Sequence, residues 1–384
     1  MDIIPYGKHE IEKEDIQAVV DTLQSDFLTQ GPKITEFEEN FAAYTGADFA
    51  IAVSNGTAAL HLCAIALGVK AGVKVLTSPI TFVASANCIL YAGGEVDFVD
   101  IDPHSYLIDL HKLENKLSKA KPGEYSGIIP IDFAGYPVNL EELKNIAKKY
   151  NLWILEDACH APGGAFKDSM NRYQYCGNGN YSDLAIFSFH PVKHIATGEG
   201  GMITTNNKDL YEKLLSLRTH GIIKHTDLLE DYHGGWYYEM QNLGYNYRLS
   251  DIQASLGISQ LRKIHKNIKR RREIAEVYNN GLRSLNITLP IVAEGNQHAY
   301  HLYIIQTKER KELYDYLRAN NIFTQVHYIP VHMQPYYRRK GWKIGDLPSA
   351  EDYYSRCLSL PMYPSLTANE QDYIIEKIKA FFHE

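Results

Sequence analysis

Residues 188–201 read "SFHPVKHIATGEGG", and this stretch predicts a shaped loop that presents a single lysine, Lys193. Pro191 removes a backbone donor and the glycines of "GEGG" relax the backbone, so neither a helix nor a strand continues through the segment. Apolar β-rich runs, "LAIF" and "MITT", lie on either side of it. Because loops held by rigid elements often carry chemistry, Lys193 becomes a candidate functional residue.

Short β-rich runs alternate with helical stretches on both sides of this loop. In "GTAALHLCAIALGV", for example, Leu60, Ala64 and Leu67 recur at helical spacing. Strands alternating with helices predict an α/β fold with a mostly parallel sheet sandwiched by helices. The β-rich runs are "DFAIAVS" (48–54), "KVLTSP" (74–79), "GEVDFVDID" (94–102), "GIIPIDFAG" (127–135), "LWILEDA" (152–158), "LAIFSF" (184–189) and "GGMITT" (200–205).

The pattern changes after Leu249 to a long helical run that reaches residue 285. Beyond it, "YHLYIIQT", "LYDYLRANN" and "IFTQVHYIPV" predict a strand, a helix and a strand of a smaller C-terminal α/β domain. We therefore expect a large domain over 1–250, and a linking helix with the small domain over 251–384. An opening helix, about residues 11–25, can pack on either domain.

Bulk composition excludes several classes of protein. The chain has 384 residues, 45% of them hydrophobic and 22% charged, as expected of a soluble globular protein. A net charge of -7 without charged blocks argues against a nucleic-acid partner. The absence of a long apolar run and of a signal sequence predicts no membrane association and a cytoplasmic location. The five cysteines form no CxxC pair, so we expect free thiols. The histidine pairs lack an acidic third ligand, so no metal is expected.

Ligands of parallel α/β sheets bind beyond the carboxyl ends of the strands, so residues that follow each β-rich run deserve inspection. Asn55, Gly56 and Thr57 follow "FAIAVS" and open a helix. Free backbone N–H groups, the helix dipole and the Thr57 hydroxyl suit a phosphate. An ordinary helix cap is the alternative reading of the same residues.

Two further strand ends carry ionisable groups. Asp157 ends a buried apolar strand, where a carboxylate is costly unless it meets a cation or hydrogen-bond donors, so we expect a charged partner, with a structural arginine as one option. Lys193 follows "LAIFSF". A lysine near a strand end is usually solvated, but one shielded by Pro, Phe and His neighbours can have a lowered pKa and form imines.

Taken together, the three strand ends describe one ligand. A phosphate site, a carboxylate that can pair with a pyridinium nitrogen and an imine-forming lysine are what pyridoxal 5'-phosphate (PLP) requires of a protein. The glycine-rich stretches match neither the dinucleotide fingerprint GxGxxG nor the P-loop GxxxxGK[ST]. The combination predicts a PLP enzyme.

Ordered motifs along nearly the whole chain strengthen this interpretation. The sequence resembles the DegT/DnrJ/EryC1/StrS family of sugar aminotransferases, which are fold type I PLP enzymes with a mostly parallel sheet and a smaller C-terminal α/β domain. The motifs are "LTQGPKITEFEENFAAYTG" (28–46), "SNGTAALHL" (54–62), "SPITFVASAN" (78–87), "EDACHA" (156–161), "SFHPVKHIATGEGG" (188–201), "LRTHG" (217–221), "LGYNYRLSDIQASLG" (243–257), "VHYIPVHMQPYY" (326–337) and "LSLPMYP" (358–364).

The resemblance implies a role for each matching residue. Lys193 would bind the cofactor covalently and act as the general acid/base, and Asp157 would pair with the pyridinium nitrogen. It also implies a homodimer with shared active sites. The other implied cofactor contacts are Phe82 stacking on the ring, His160 near the ring hydroxyl, Gly56, Thr57 and Ser188 on the phosphate, and Asn246 reaching the neighbouring subunit's phosphate.

Within the family, "GGWYYEMQNLGYNYR" (234–248), "SFHPVKHI", "VDID" and "DFAG" are most similar to the pseudaminic acid branch. This implies that L-glutamate aminates C4 of UDP-2-acetamido-2,6-dideoxy-β-L-arabino-hexos-4-ulose. Amination of another keto sugar, such as the D-xylo isomer or a perosamine-type substrate, is the alternative. The implied substrate contacts are Tyr6, Asp26, Phe27, Leu28, Thr29, His327 and Tyr328.

Two other classes of protein share this fold. Related dehydratases keep free pyridoxamine phosphate and have His where the aminotransferases have Lys, whereas this chain has Lys193. Non-catalytic dimers of the fold typically lose the lysine, the aspartate or the phosphate-binding hydroxyls, and this chain keeps all of them. The sequence therefore favours a transaminase.

Overall fold

A computed structural model describes residues 2–383 of the chain. The strands of its central sheet coincide with the seven predicted β-rich runs. The strands, numbered in chain order, are β1 (Phe49–Val53), β2 (Lys74–Thr77), β3 (Glu95–Phe98), β4 (Gly127–Ile129), β5 (Trp153–Asp157), β6 (Ala165–Lys167), β7 (Tyr173–Tyr175), β8 (Leu184–Ser188), β9 (Gly201–Thr205), β10 (Ile222–Ile223), β11 (Glu239–Met240), β12 (Tyr303–Gln306) and β13 (Cys357–Leu360).

The central sheet has the strand order β1-β9-β8-β5-β4-β2-β3. Neighbouring strands run parallel from β3 to β8, whereas β9 runs antiparallel to both β8 and β1. The sheet is therefore mostly parallel, as predicted. Because β9 alone is reversed in this sheet of the described residues, it begins at the edge where β1 and β8 end.

Helices cover both faces of this sheet, because the strands alternate apolar side chains between the two sides. On β1, Ile51 and Val53 belong to one apolar cluster, and Ala50 and Ala52 belong to another. The first cluster includes residues of the helix after β1, and the second includes Phe37 from the helix before it. The predicted α/β sandwich is confirmed.

The helices alternate with the strands through the first two-thirds of the chain. Short 3-10 turns lie at Phe133–Gly135, Thr226–Leu228 and Val331–Met333. The α-helices are α1 (Lys13–Leu23), α2 (Pro32–Thr45), α3 (Gly56–Ala66), α4 (Ala84–Tyr91), α5 (Leu110–Lys119), α6 (Leu140–Tyr150), α7 (Lys208–Arg218), α8 (Asp251–Arg262), α9 (Ile264–Leu282), α10 (Arg310–Ala319), α11 (Pro335–Arg338), α12 (Pro348–Arg356) and α13 (Ala368–His383).

The C-terminal third differs from the prediction in two respects. The long helical run is two helices, α8 and α9, which meet at Lys263. The predicted strand "IFTQVHYIPV" is wrong, since Ile322 and Gln325 make only isolated bridges to Ile4 and Ser359. The antiparallel partner of β12 is β13, which the sequence prediction missed. The division at residue 250 stays a proposal.

The opening helix α1 packs against α8. Its contact depends on Asp15, which is fully buried. The carboxylate accepts hydrogen bonds from Ser259 Oγ (2.6 Å) and Gln260 Nε2 (2.9 Å) and forms an ion pair with Lys263 Nζ (2.6 Å). These contacts fix α1 at the start of the C-terminal third.

Two chain-wide features accompany the fold. Among residues 2–383, no helix has both the length and the apolar character needed to cross a membrane. The cytoplasmic location stays a prediction. The five cysteines are free thiols, as expected, and four of them are buried.

We expect Asp15→Ala to lower the free energy of unfolding of the apo protein by about 1–3 kcal/mol, because it removes the acceptor of the Ser259 and Gln260 hydrogen bonds, whereas Lys263 keeps its ion pair with Glu12. Urea denaturation followed by circular dichroism measures the change. Asp21→Ala, which removes an exposed carboxylate on the same helix, should change it by less than about 0.5 kcal/mol. Equal effects of the two variants would contradict a special role for Asp15.

Candidate active site

A cavity of about 630 Å³ lies at the carboxyl ends of the parallel strands. Its wall contains most of the residues that the sequence singled out for cofactor and substrate. Those residues are Tyr6, Gly56, Thr57, Phe82, Asp157, His160, Ser188, Lys193, His327 and Tyr328. Residues far apart in sequence thus meet in one site.

One end of the cavity is suited to a phosphate. The Asn55 side chain accepts the Ala58 N–H (2.8 Å) and so caps α3, while the N–H groups of Gly56 and Thr57 have no acceptor within the helix. Ser188 stands directly opposite, because a Cβ on Gly56 would lie 3.0 Å from the Ser188 Cβ. The same turn can therefore cap α3 through Asn55 and bind a phosphate through the N–H groups of Gly56 and Thr57.

The start of β9 holds this end together. Gly201 pairs with Val53 of β1 on one side and with Ser188 of β8 on the other. A Cβ at Gly201 would lie 2.7 Å from the Asn55 carbonyl carbon, which is closer than side chains approach backbone. Glycine at this position lets the two strand ends approach each other.

Lys193 lies in the loop between β8 and β9, on the cavity wall. Buried Phe189 anchors the loop through backbone bonds to Thr197 (2.9 Å) and Gly200 (2.8 Å). Within residues 2–383, Lys193 Nζ forms no ion pair. Burial lowers the pKa of the Lys193 amine, against the opposing influence of Cys159 and Asp157. A larger fraction of neutral, nucleophilic amine follows.

Asp157 ends β5 and is nine-tenths buried at the cavity wall. Ser85 Oγ donates to its Oδ2 (2.6 Å), and the Cys159 N–H donates to its Oδ1 (3.2 Å). We predicted a charged partner for Asp157, with an arginine as one option, but no such partner is present among the described residues. Two neutral donors orient the carboxylate instead. A cationic ring nitrogen in the cavity would supply the missing charge, so the residues fit PLP.

His160 is oriented by a backbone group. The Ala134 N–H donates to its Nδ1 (3.2 Å), so the proton of the neutral ring lies on Nε2, 3.3 Å from the Tyr328 hydroxyl. Burial, with the charge of Lys193 as a further cause, holds the pKa of His160 well below its usual value. The His160 ring is therefore a neutral imidazole on the cavity wall.

Aromatic side chains form another part of the cavity wall. Tyr6 and His327 have ring centroids 5.3 Å apart, and His327 Nδ1 lies 2.9 Å from Ser359 Oγ. Burial lowers the pKa of His327 to about 3 and raises that of Tyr328. Both side chains are neutral at physiological pH. Phe82 is 59% exposed and lies 6.4 Å from the Tyr328 ring, where it can cover a ligand.

Two groups of predicted residues lie outside this cavity. Asp26 to Thr29 are exposed and precede α2, and Asn246 is exposed beside α7. The two groups are neighbours, since Thr29 bridges Ser250 and the Asp251 N–H donates to the Leu28 carbonyl. Neither group lines the cavity formed by the described residues, and their roles stay predictions.

Several cavity residues were missed by the sequence prediction. Ser85 lies one helical turn beyond Phe82 in "SPITFVASAN", and that spacing is a signal that could have identified it. His301 has an Nδ1 with no hydrogen-bond partner among the described residues. Tyr247 and Glu199 also line the cavity. Glu199 and Tyr247 lie in the motifs that carry Lys193 and Asn246, but nothing in their residue types predicts that they reach the cavity.

Within the described residues, the central sheet has a lysine, Lys193, in the loop before its one antiparallel strand, β9, and a carboxylate without a cationic partner, Asp157, at the end of β5. This arrangement defines a PLP-dependent enzyme of fold type I. The chain belongs to the DegT/DnrJ/EryC1/StrS aminotransferase family, whose model matches residues 9–379. The predicted cofactor, PLP, is confirmed by this membership and by solved relatives in the PLP and PMP forms. When bound, PLP supplies an electron sink for amino transfer.

Characterised relatives span nearly the full length of the chain. Identity is 39% to the spore coat polysaccharide biosynthesis protein SpsC of Bacillus subtilis, over 98% of this chain and 96% of that protein. It is 36% to the UDP-4-amino-4,6-dideoxy-N-acetyl-beta-L-altrosamine transaminase of Campylobacter jejuni, over 98% and 99%. It is 33% to the GDP-perosamine synthase of Escherichia coli O157:H7, over the whole of both chains.

Solved structures agree with the fold over the same extent. A putative sugar aminotransferase from Streptococcus pneumoniae superposes with a TM-score of 0.90 at 29% identity, covering 99% of this chain and 98% of that one. An aminotransferase from Helicobacter pylori involved in the biosynthesis of pseudoaminic acid gives 0.88 at 29% identity and covers both chains fully.

We expect Lys193→Ala to abolish covalent retention of PLP and to slow glutamate-dependent amino transfer by at least about 10²-fold, because it removes the nucleophile and the proton carrier. Borohydride reduction followed by peptide mass spectrometry should show the phosphopyridoxyl group on Lys193 of the native protein. Lys208→Ala, at an exposed position, serves as the control. A reduced adduct on another lysine would refute the assignment.

Proposed function

We propose that this enzyme transfers the amino group of L-glutamate to C4 of UDP-2-acetamido-2,6-dideoxy-β-L-arabino-hexos-4-ulose, as in pseudaminic acid biosynthesis. The observation that carries amino transfer is that Lys193 and Asp157 line the same cavity. Neither of them forms an ion pair with a described residue. Support for the sugar comes from relatives at 36% and 29% identity whose names concern the altrosamine product and pseudoaminic acid.

The chain's own residues can perform the steps that amino transfer requires. Asp157, oriented by Ser85, stabilises positive charge at the ring nitrogen. Burial lowers the pKa of the Lys193 amine, which favours its accepting and returning a proton. Ser188 with the first turn of α3 binds the phosphate, and this tether fixes the reacting atoms relative to Lys193.

The wall formed by Tyr6, His327 and Tyr328 suits the sugar of the acceptor. A cavity of about 630 Å³ falls within the range of sites for ligands of this size. The wall presents neutral hydroxyl and imidazole groups together with apolar ring faces. The polar groups can hydrogen-bond to the hydroxyl groups of a sugar, and the ring faces can pack against it. We assign the keto sugar to this side and the phosphate of PLP to the opposite end.

A second candidate is amination of another keto nucleotide sugar, such as the D-xylo isomer or a perosamine-type substrate. Similarity to the GDP-perosamine synthase at 33% identity over the full length favours keeping it. Members of one fold reuse a scaffold for different substrates, so the sugar must be tested directly. The dehydratase and the non-catalytic alternatives remain disfavoured by Lys193.

We expect L-glutamate to convert bound PLP to its amine form, and the L-arabino ketosugar to restore the aldehyde form. Absorbance of the holoenzyme during sequential addition of glutamate and a panel of keto nucleotide sugars measures both half-reactions. Restoration by the D-xylo or the GDP-linked sugar alone would overturn the pathway assignment while leaving the transaminase intact. Lys193→Ala provides the negative control.

We also propose that the active enzyme is a homodimer in which Asn246 enters the partner's site. Asn246 pairs with Thr219 in extended backbone, so Asn246 and Arg248 share one face while Tyr247 faces its own cavity. Arg248 forms no ion pair among the described residues, so its guanidinium group has no carboxylate partner there. It is a candidate for the donor's α-carboxylate in the partner's site.

Complementation tests the shared site. Dimers of Lys193→Ala and dimers of Asn246→Ala/Arg248→Ala should each be nearly inactive, whereas co-refolded mixtures should regain roughly a quarter of the native sites, because half of the dimers carry one complete site. The glutamate half-reaction, followed by absorbance, is the readout. Absence of recovery in confirmed heterodimers would contradict contribution in trans. Lys208→Ala in place of the double variant controls for refolding.

A further inference from the structure

We propose that Asp132 and Glu156 share one proton, and that this carboxyl pair is a positioning element for the cofactor-binding residues on the other face of the sheet. Asp132 and Glu156 are each 1% exposed. An oxygen of each and the Cys176 Sγ lie within 4.8 Å of one another. Asp132 follows β4 and Glu156 belongs to β5, directly before Asp157.

The pair lies behind Asp157. The Asp132 N–H donates to the Asp157 carbonyl (3.1 Å), and the Asp157 N–H donates to the Pro130 carbonyl (2.9 Å). Because side chains alternate along extended backbone, Asp157 points into the cavity while Glu156 points away from it. The pair therefore lies beside the end of β5, on the side of the sheet away from the cavity.

Each carboxyl group also holds a segment that carries another cofactor residue. Asp132 Oδ1 accepts the Val138 N–H (2.8 Å) and so closes the turn whose Ala134 N–H orients His160. Glu156 accepts the Gly177 N–H (2.9 Å) and the Ser182 hydroxyl (3.0 Å) in the loop before β8, which ends at Ser188. Three cofactor contacts thus depend on one buried pair.

The donor count indicates where the proton resides. Both Glu156 oxygens accept hydrogen bonds, whereas Asp132 Oδ2 has no donor among the described residues. Two ionised carboxylates cannot remain in contact in a dry interior without a cation. An O–H on Asp132 Oδ2 that donates to Glu156 satisfies the unpaired oxygen and leaves one negative charge. The other titratable groups facing the pair, Cys176, Asp157 and Cys159, supply no cation.

The pKa directions agree with this geometry. Burial, followed by the charge of Glu156, raises the pKa of Asp132 well above its usual value, and burial raises the pKa of Glu156 to about 7. The folded protein therefore holds the shared proton more tightly than the unfolded chain does. The stability that the proton contributes is complete below the ordinary pKa of an unfolded carboxyl group and is lost as the pH rises through the raised pKa of the folded pair.

A metal ion is the competing occupant of the cluster formed by Asp132, Glu156 and Cys176. Structural zinc sites are closed by four ligands, and this cluster offers three. Three of the four carboxylate oxygens already accept hydrogen bonds from protein donors. A proton satisfies the remaining oxygen without moving any of these donors.

Asp132→Asn tests the proposal because its amide can donate to Glu156 and accept from Val138 without a titrating proton. PLP retention by the holoenzyme and the unfolding temperature of the apo protein, each measured from about pH 4 to about 10, should decline in the native protein as the rising pH removes the shared proton. The decline due to the pair should be absent in Asp132→Asn. Asp372→Asn, an exposed acid-to-amide change, should behave as the native protein.

Asp132→Ala separates positioning from mere folding. It should weaken PLP binding about tenfold or more at neutral pH, since it leaves the Val138 N–H without its acceptor and removes the proposed donor to Glu156, whereas Asp132→Asn should restore tight binding. Infrared spectra of the apo protein near neutral pH should show the carbonyl band of a protonated carboxylic acid, and this band should be lost in Asp132→Asn.

Three results would overturn the proposal. One is an alkaline decline of equal size in the native, Asp132→Asn and Asp372→Asn proteins. Another is a native infrared spectrum without the band of a protonated acid. The third is one equivalent of zinc or another divalent metal per chain that Asp132→Asn removes, which would replace the proton by an ion.

Discussion

The close approach of Gly201 to the Asn55–Gly56 turn is the constraint on which the rest of the site depends. Gly201 pairs with Val53 and with Ser188 at once, so β9 ties the ends of β1 and β8 together. Any side chain at Gly201 would meet the Asn55 backbone at 2.7 Å. The chain reaches this point through the loop that carries Lys193. One backbone contact therefore sets the distance between the phosphate end of the cavity and the reactive amine.

Electrostatics make the cavity complementary to a ligand that carries its own charges. Asp157 faces it without a cation, and Lys193 faces it without an ion-paired carboxylate, within the part of the chain that the structure describes. The buried histidines contribute hydrogen bonds without charge, because burial lowers the pKa of His160 and His327. A phosphorylated pyridinium compensates each of these unbalanced groups, which explains why one cofactor suits them all.

The two faces of the sheet carry different ionisable groups. The cavity face carries Asp157, whereas the opposite face carries Glu156 beside Asp132, with hydrogen bonds to the segments that position His160 and Ser188. The exposed surface around Thr29 and Asn246 belongs to neither face. Its residues do not line the cavity, and the proposed homodimer would place them at the site of a second copy of the chain.

Local patterns in the sequence determined the strands of the central sheet and the α/β class, because the spacing of apolar residues along the chain distinguishes strands from helices. The same patterns pointed to the residues at or after the strand ends, Asp157, Ser188 and Lys193. The motifs further implied the family and PLP. Only the tertiary structure decided that β12 pairs with β13 instead of with "IFTQVHYIPV", that a hydroxyl, and no arginine, orients Asp157, and that Asp132 meets Glu156. These contacts join residues that are distant in sequence. Side-chain packing decides which of several distant segments pair, and a short stretch of sequence does not contain that information.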